Sequence, residues 1–232
     1  MSLRKQTVPQ SAPTPLTDGY SRTISRMHKA LKAAGRAPDS AILTAVSKNQ
    51  DWGVIEPVLN AGQRRFGENR VQEASERWNG KRDTYPDLEL RLIGPLQSNK
   101  AGDAVGFFDV IESIDRDKIA RVVADEIQKQ GRSPQLYAQV NIGEEDQKAG
   151  IAPSEADAFL QIARDTYGLT ISGLMCIPPV EGPRGPYFAL LKKIADRNGI
   201  IHLSMGMSDD FETALAFGST EIRIGSAIFG AR

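Results

Sequence analysis

Ala41-Ile42-Leu43-Thr44-Ala45-Val46-Ser47-Lys48 begins as a short apolar run and ends on a cation. The run is β-branched and bounded by polar residues, which matches a buried strand, and Lys48 falls where that strand leaves the core. An ammonium in the middle of a buried strand costs several kcal/mol unless paired, whereas one at the strand's carboxyl end faces a cleft. A lysine so placed is open to partial desolvation, which lowers its pKa and frees the amine to attack a carbonyl. Taken alone, the segment fits a solvated turn lysine better, because perturbed lysines are uncommon.

Beyond Lys48, the residues Val54, Ile55, Val58 and Leu59 recur at helical spacing, and Gly62 closes that helix ahead of a short strand over 65–67. The alternation continues with a helix over 71–78, a strand over 88–93, a short helix after Ser98 and a strand over 108–114. Ile119, Val122, Val123 and Ile127 then mark one face of a helix. A strand over 135–142 precedes a helix opened by Ser154, with Glu155 and Asp157 in its first turn. Next come a strand over 169–177, an irregular link carrying Pro178, Pro179, Gly182, Pro183, Gly185 and Pro186, and a helix over 188–195. Strands over 200–205 and 221–224 flank a last helix over 209–217. About eight strands alternating with helices predict an α/β protein, a single (β/α)8 TIM-type barrel.

On the N-terminal side, Ile24, Met27, His28 and Leu31 share a helical stripe that Gly35 stops. This predicts an extra N-terminal helix with His28 packed in its apolar face. Residues 1–19, rich in Pro, Ser and Thr, predict a mobile arm, which leaves 20–232 for the barrel. An open doubly wound sheet is the competing architecture, but no G-x-G-x-x-G turn follows the first strand. There is no repeat of fixed period.

The 232 residues are 40% hydrophobic and 25% charged, ordinary for a globular domain with a sizeable core. Lys plus Arg and Asp plus Glu both number 29, so no net charge favours nucleic acid or an anionic membrane surface. Cys176 is the only cysteine, which points to a small core residue and a reducing compartment. The N-terminus has no apolar signal region, and no run of about eighteen apolar residues occurs. A cytoplasmic monomer with no membrane partner, no nucleic-acid partner and no metal site is the expectation.

In a parallel barrel the chemistry sits at the strands' carboxyl ends, with phosphate often held after strands seven and eight. Gly206-Met207-Ser208-Asp209-Asp210 follows the seventh strand, and Ser208 is placed to cap the next helix, where N–H groups and a hydroxyl can hold an anion. Arg223-Ile224-Gly225-Ser226 follows the eighth, with a glycine that lets backbone approach closely and a second hydroxyl. Ser208 also reads as a plain N-cap and Gly225 as a tight turn; two such loops together strengthen the phosphate reading. Arg223 stands out between Ile222 and Ile224, since a guanidinium in the barrel mouth must be paired or hydrogen-bonded. With phosphate on these loops and Lys48 across the mouth, pyridoxal phosphate fits, Arg223 facing its ring nitrogen. A phosphorylated sugar bound as a Schiff base needs the same parts, and Arg223 could instead bridge acidic neighbours.

The segments AVSK at 45–48, AGQRRFGEN at 61–69, IGPLQSNK at 93–100, GMSDD at 206–210 and RIGSAIFG at 223–230 resemble the pyridoxal-phosphate homeostasis protein family. The resemblance implies a single barrel similar to the alanine racemase N-terminal domain, with pyridoxal 5′-phosphate on Lys48. It also implies Asn69 near the cofactor, Ser208, Gly225 and Ser226 on its phosphate, and Arg223 at the pyridine nitrogen. The chain departs from the family's pattern in having Arg91 where histidine is common, and in a connection over 178–200 that looks shorter than usual. It ends at Arg232, directly after the last motif, leaving no residues for the second domain that similar racemases use to supply another base. The expected function is therefore to hold pyridoxal phosphate as a lysine Schiff base, and to transfer it to apo enzymes, in vitamin B6 homeostasis. A weak amino-acid racemase is the alternative and a Schiff-base aldolase a more distant one.

Overall fold

A computed structural model of the chain describes residues 15–230, so most of the predicted arm lies outside the described residues. Its strands are β1 Ile42–Val46, β2 Arg65–Glu68, β3 Glu89–Leu92, β4 Val110–Ile114, β5 Gln135–Val140, β6 Ile171–Cys176, β7 His202–Ser204 and β8 Glu221–Ile224. All neighbours pair in parallel, and β8 returns to β1 to close the barrel in sequence order. The predicted barrel is thus the observed one. Because every strand runs the same way, the loops after their last residues share one face, and the site residues expected from the sequence follow β1, β2, β7 and β8.

Helices cover the outside: α1 Pro15–Ala33, α2 Trp52–Asn60, α3 Val71–Trp78, α4 Lys81–Thr84, α5 Ala101–Phe107, α6 Asp117–Gln130, α7 Ala156–Asp165, α8 Gly185–Arg197, α9 Phe211–Ala216 and α10 Ser226–Phe229. Their apolar faces meet the outward strand residues in one core that includes Phe66, Leu90, Leu92, Phe108, Ile111, Leu174, Phe188 and Phe211. Cys176 belongs to that core, and burial pushes its thiol up to about 12.

Three sequence expectations change. The first helix begins at Pro15, so Pro15 to Gly19 belong to α1 and not to an arm. Proline suits a first helical turn, and Gly19 lets α1 approach α10 so closely that a Cβ there would lie 2.4 Å from the carbonyl oxygen of Ile228. His28 is exposed, because Thr23, Met27 and Leu31 at intervals of four define the buried stripe and His28 is one residue off it. The link after β6 is shorter than expected, because Gly185 and Pro186 form the first turn of α8, where a missing N–H costs nothing.

The barrel interior is strongly polar. Glu112, Glu221, Arg91, Arg223, Thr44 and Ser204 are all buried. Gly173 on β6 makes room for the Tyr137 ring, which would lie 2.6 Å from a Cβ at that position. Tyr137 in turn stacks on His202 with centroids 6.0 Å apart.

Candidate functional site at the carboxyl face of the barrel

Lys48 leaves β1 half-buried in a tight turn, and Asn49 beside it has φ 57, a left-handed conformation that asparagine tolerates. The turn is fastened from both sides. Ser47 Oγ donates to Glu68 Oε1 at 2.7 Å, and the fully buried Glu68 also accepts from Trp78 Nε1 at 2.9 Å and Arg77 Nη1 at 2.7 Å. Arg77 Nε reaches across to the Gln50 carbonyl at 3.1 Å. The backbone around Lys48 is thereby tied to β2 and α3 through one carboxylate, which sequence reasoning did not single out.

Ser208 and Ser226 meet, although they come from different strands: Ser226 Oγ donates to Ser208 Oγ at 3.0 Å, and the Ala227 N–H points at Ser208 Oγ at 3.4 Å. The expected N-cap role of Ser208 is corrected by this contact. The N-cap of α9 is Asp210, whose Oδ1 accepts from the Met207 N–H at 2.6 Å, so the Ser208 hydroxyl is left to face the β8 loop. Gly225 lies against β1, where a Cβ would come within 3.5 Å of the Val46 Cβ, two residues before Lys48. The structure therefore groups Lys48, Gly225, Ser226 and Ser208 around neighbouring strand ends. Asn69 lies on the same face at the end of β2 but borders a cavity of about 570 Å³ whose other lining residues include Arg70, Gln97, Lys100 and Arg116.

Arg223 sits below the serines, buried in the barrel. Its Nη1 donates to Ser204 Oγ at 2.7 Å and its Nη2 to the Cys176 carbonyl at 2.8 Å. Among the described residues no carboxylate pairs with it directly, so the simple bridge to acidic neighbours is not what holds it. Glu112 lies one step further on, accepting from Ser204 Oγ at 2.5 Å and from Arg91 Nε at 2.8 Å. Arg91 also pairs with Glu221 and Glu89, and Thr44 Oγ1 donates to Glu221 Oε1 at 2.8 Å. Arg91, which stands where the resembled family commonly has histidine, is thus the hub of a buried ion cluster.

The two buried glutamates titrate in opposite directions. Burial acts to raise Glu112, but Arg91 and then Arg223 outweigh it and hold its carboxyl below the usual range. Glu221 is pushed well above that range, by burial first and by the charge of Glu112 second. Of the two, Glu112 is the one whose ionised form the surroundings favour, and Glu221 the one whose protonated form they favour. Sequence reasoning missed both, although Glu112 is a lone charge in an apolar strand, the same signal that picked out Arg223.

A model of the alanine racemase N-terminal domain family matches residues 25–232. The chain is 37% identical to the pyridoxal phosphate homeostasis protein of Aquifex aeolicus, over 91% of this chain and 96% of that protein. It is 38% identical to the protein of the same description from Pseudomonas aeruginosa, over 94% of this chain and 96% of that one. Among solved structures, PipY of Synechococcus elongatus with pyridoxal phosphate bound is 36% identical, with a TM-score of 0.75 and coverage of 88% of this chain and 100% of that chain. With the barrel, the strand-end loops and this level of identity agreeing over nearly the whole length, the chain belongs to the pyridoxal phosphate homeostasis protein family.

Proposed function

We propose that this protein binds pyridoxal 5′-phosphate as a Schiff base on Lys48, and that it holds and transfers the cofactor within the cell's vitamin B6 homeostasis. The observation that carries the reading is the convergence of two hydroxyls, 3.0 Å apart and each at a different strand end, above a buried guanidinium that no carboxylate among the described residues pairs with directly. Ser208, Ser226 and the backbone at Gly225 supply donors for a phosphate, at the place where barrels of this kind commonly hold one. Arg223 offers N–H donors and a fixed positive charge, suited to a hydrogen-bond acceptor such as an unprotonated pyridine nitrogen. Asn69 borders the same face and contributes a donor or acceptor to the cofactor's neighbourhood. When bound, the cofactor supplies an aldehyde that condenses with an amine and a ring that can withdraw electrons.

The protein's own residues limit what that ring does. A permanent cation beside the nitrogen disfavours its protonation and so weakens the ring as an electron sink, which suits a holder better than a racemase. Glu68, through Ser47, fixes where the Lys48 amine emerges. Joint replacement of Ser208 and Ser226 by alanine tests the reading. A hydrogen bond to a charged group contributes about 1.5–3 kcal/mol, so the double variant should retain the cofactor roughly a hundredfold or more less tightly, with its circular dichroism unchanged. An unaltered dissociation constant in the folded double variant would place the phosphate elsewhere.

A further inference from the structure

The buried chain Glu112–Ser204–Arg223 joins β4, β7 and β8 through the barrel interior, and only its Arg223 end is placed to touch a ligand. A serine hydroxyl has one proton to give and lone pairs to receive with. At 2.5 Å from Glu112 Oε2 and 2.7 Å from Arg223 Nη1, the Ser204 hydroxyl has only one consistent arrangement: its proton goes to the carboxylate and its oxygen accepts from the guanidinium. Glu112 is itself pinned by Arg91 Nε at 2.8 Å, so the acceptor end of this chain does not turn. Nη2 on the Cys176 carbonyl at 2.8 Å gives the planar guanidinium its second fixed point. With the attachment to its own side chain as the third point, these two contacts determine the plane, and the remaining N–H groups are aimed by it.

A carboxylate directly on Arg223 would occupy those donors. A hydroxyl in between lets the negative charge act at one remove and leaves the outward edge available. We propose that Glu112 and Ser204 are positioning residues that orient Arg223: Glu112 takes the Ser204 proton, which makes the Ser204 oxygen an acceptor and sets the guanidinium edge presented to the pyridine ring. The part of this inference that concerns the ring rests on the functional reading above, whereas the orientation of Arg223 belongs to the protein alone.

The test uses Ser204→Ala, Ser204→Thr and Glu112→Gln in the full chain, with two readouts. The first is made without cofactor: the rate at which the Arg223 Nη hydrogens exchange with water, read from its guanidinium ¹⁵N–¹H signals. The second is made with ¹⁵N-labelled pyridoxal phosphate: the dissociation constant and the ring-nitrogen chemical shift. Ser204→Ala and Glu112→Gln should hasten the exchange, weaken retention about tenfold and move the ring signal, while Ser204→Thr, which keeps the hydroxyl, should restore all three. Glu112→Gln carries the risk of misfolding, because it leaves Arg91 short of a counter-charge. Ser204→Ala removes one oxygen and keeps the test decisive. A folded Ser204→Ala protein with wild-type exchange, affinity and ring signal would overturn the proposal. If the wild-type chain does not bind pyridoxal phosphate, the functional reading fails, and unchanged Arg223 exchange in the cofactor-free variants would overturn the orientation as well.

Discussion

Glu221 is the residue whose chemistry the sequence leaves least visible, because its partners Arg91 and Glu112 lie more than a hundred positions away along the chain. Its raised carboxyl means that folding takes up a proton. The stabilisation this gives is complete below the ordinary value of 4.5 and is lost as pH climbs through the raised value. Glu112 behaves oppositely: its contribution is present above the ordinary value and lost only as pH falls through its depressed one. Above the ordinary carboxylate range, therefore, the pair's dependence on pH belongs to Glu221. We expect the wild-type protein to lose stability through this group as pH rises over the range above the ordinary carboxylate value, as far as the raised one. Glu221→Gln, neutral throughout and able to keep hydrogen bonds to Arg91 and Thr44, should remove that slope. Urea unfolding of both proteins across the range measures it, and parallel pH dependences would show that Glu221 is not the protonated member. Lys48 and Arg223 were legible for a simpler reason: a single cation at the end of, or within, an apolar run is visible without knowing any partner.

At the scale of elements, the strand and helix alternation was readable because each element carries its own period, but its edges moved wherever a turn residue had two uses. Pro15 and Pro186 both looked like loop residues and both start helices. Ser208 looked like a cap, but Asp210 holds the N-cap position of α9 and Ser208 joins the loop after β8. The packing of α1 over α9 and α10 had no sequence signal beyond its apolar stripe, since the decisive feature is a missing side chain. A methyl at Gly19 would lie 2.4 Å from the Ile228 carbonyl oxygen and 2.8 Å from that of Ala227, both backbone atoms of α10 that cannot rotate aside. Gly19→Ala should therefore destabilise the protein by about 1–3 kcal/mol, lowering the melting temperature by several degrees. Hydrogen exchange should also quicken in α1 and in the 226–229 turn. Unchanged melting and exchange would mean that α1 is not seated on α10 at that distance.

The whole molecule places a polar, charge-bearing interior inside an apolar outer layer, an arrangement that puts Arg223 under the loops after β7 and β8 and Lys48 at the rim. Among the described residues no helix is long and apolar enough to cross a membrane, and no group of three or more His, Cys, Asp or Glu side chains is placed to hold a metal ion. The barrel, and the meeting of the loops that carry Ser208 and Ser226 at one end of it, followed from the sequence because strand count and strand-end chemistry are local. The interior cluster did not, because it is assembled from five strands at once. Cofactor attachment depends, in this reading, on the amine of Lys48. Lys148 and Lys100 follow loop motifs of their own: Lys148 donates to the Pro178 carbonyl at 3.0 Å and pairs with Glu145 at 2.5 Å, while Lys100 pairs with Asp103 at 3.4 Å. The direct measurement is borohydride reduction of the protein loaded with pyridoxal phosphate, followed by peptide mass spectrometry. We expect one reduced pyridoxyl phosphate adduct, on Lys48; an adduct on Lys100 or Lys148 with Lys48 unmodified would contradict the account.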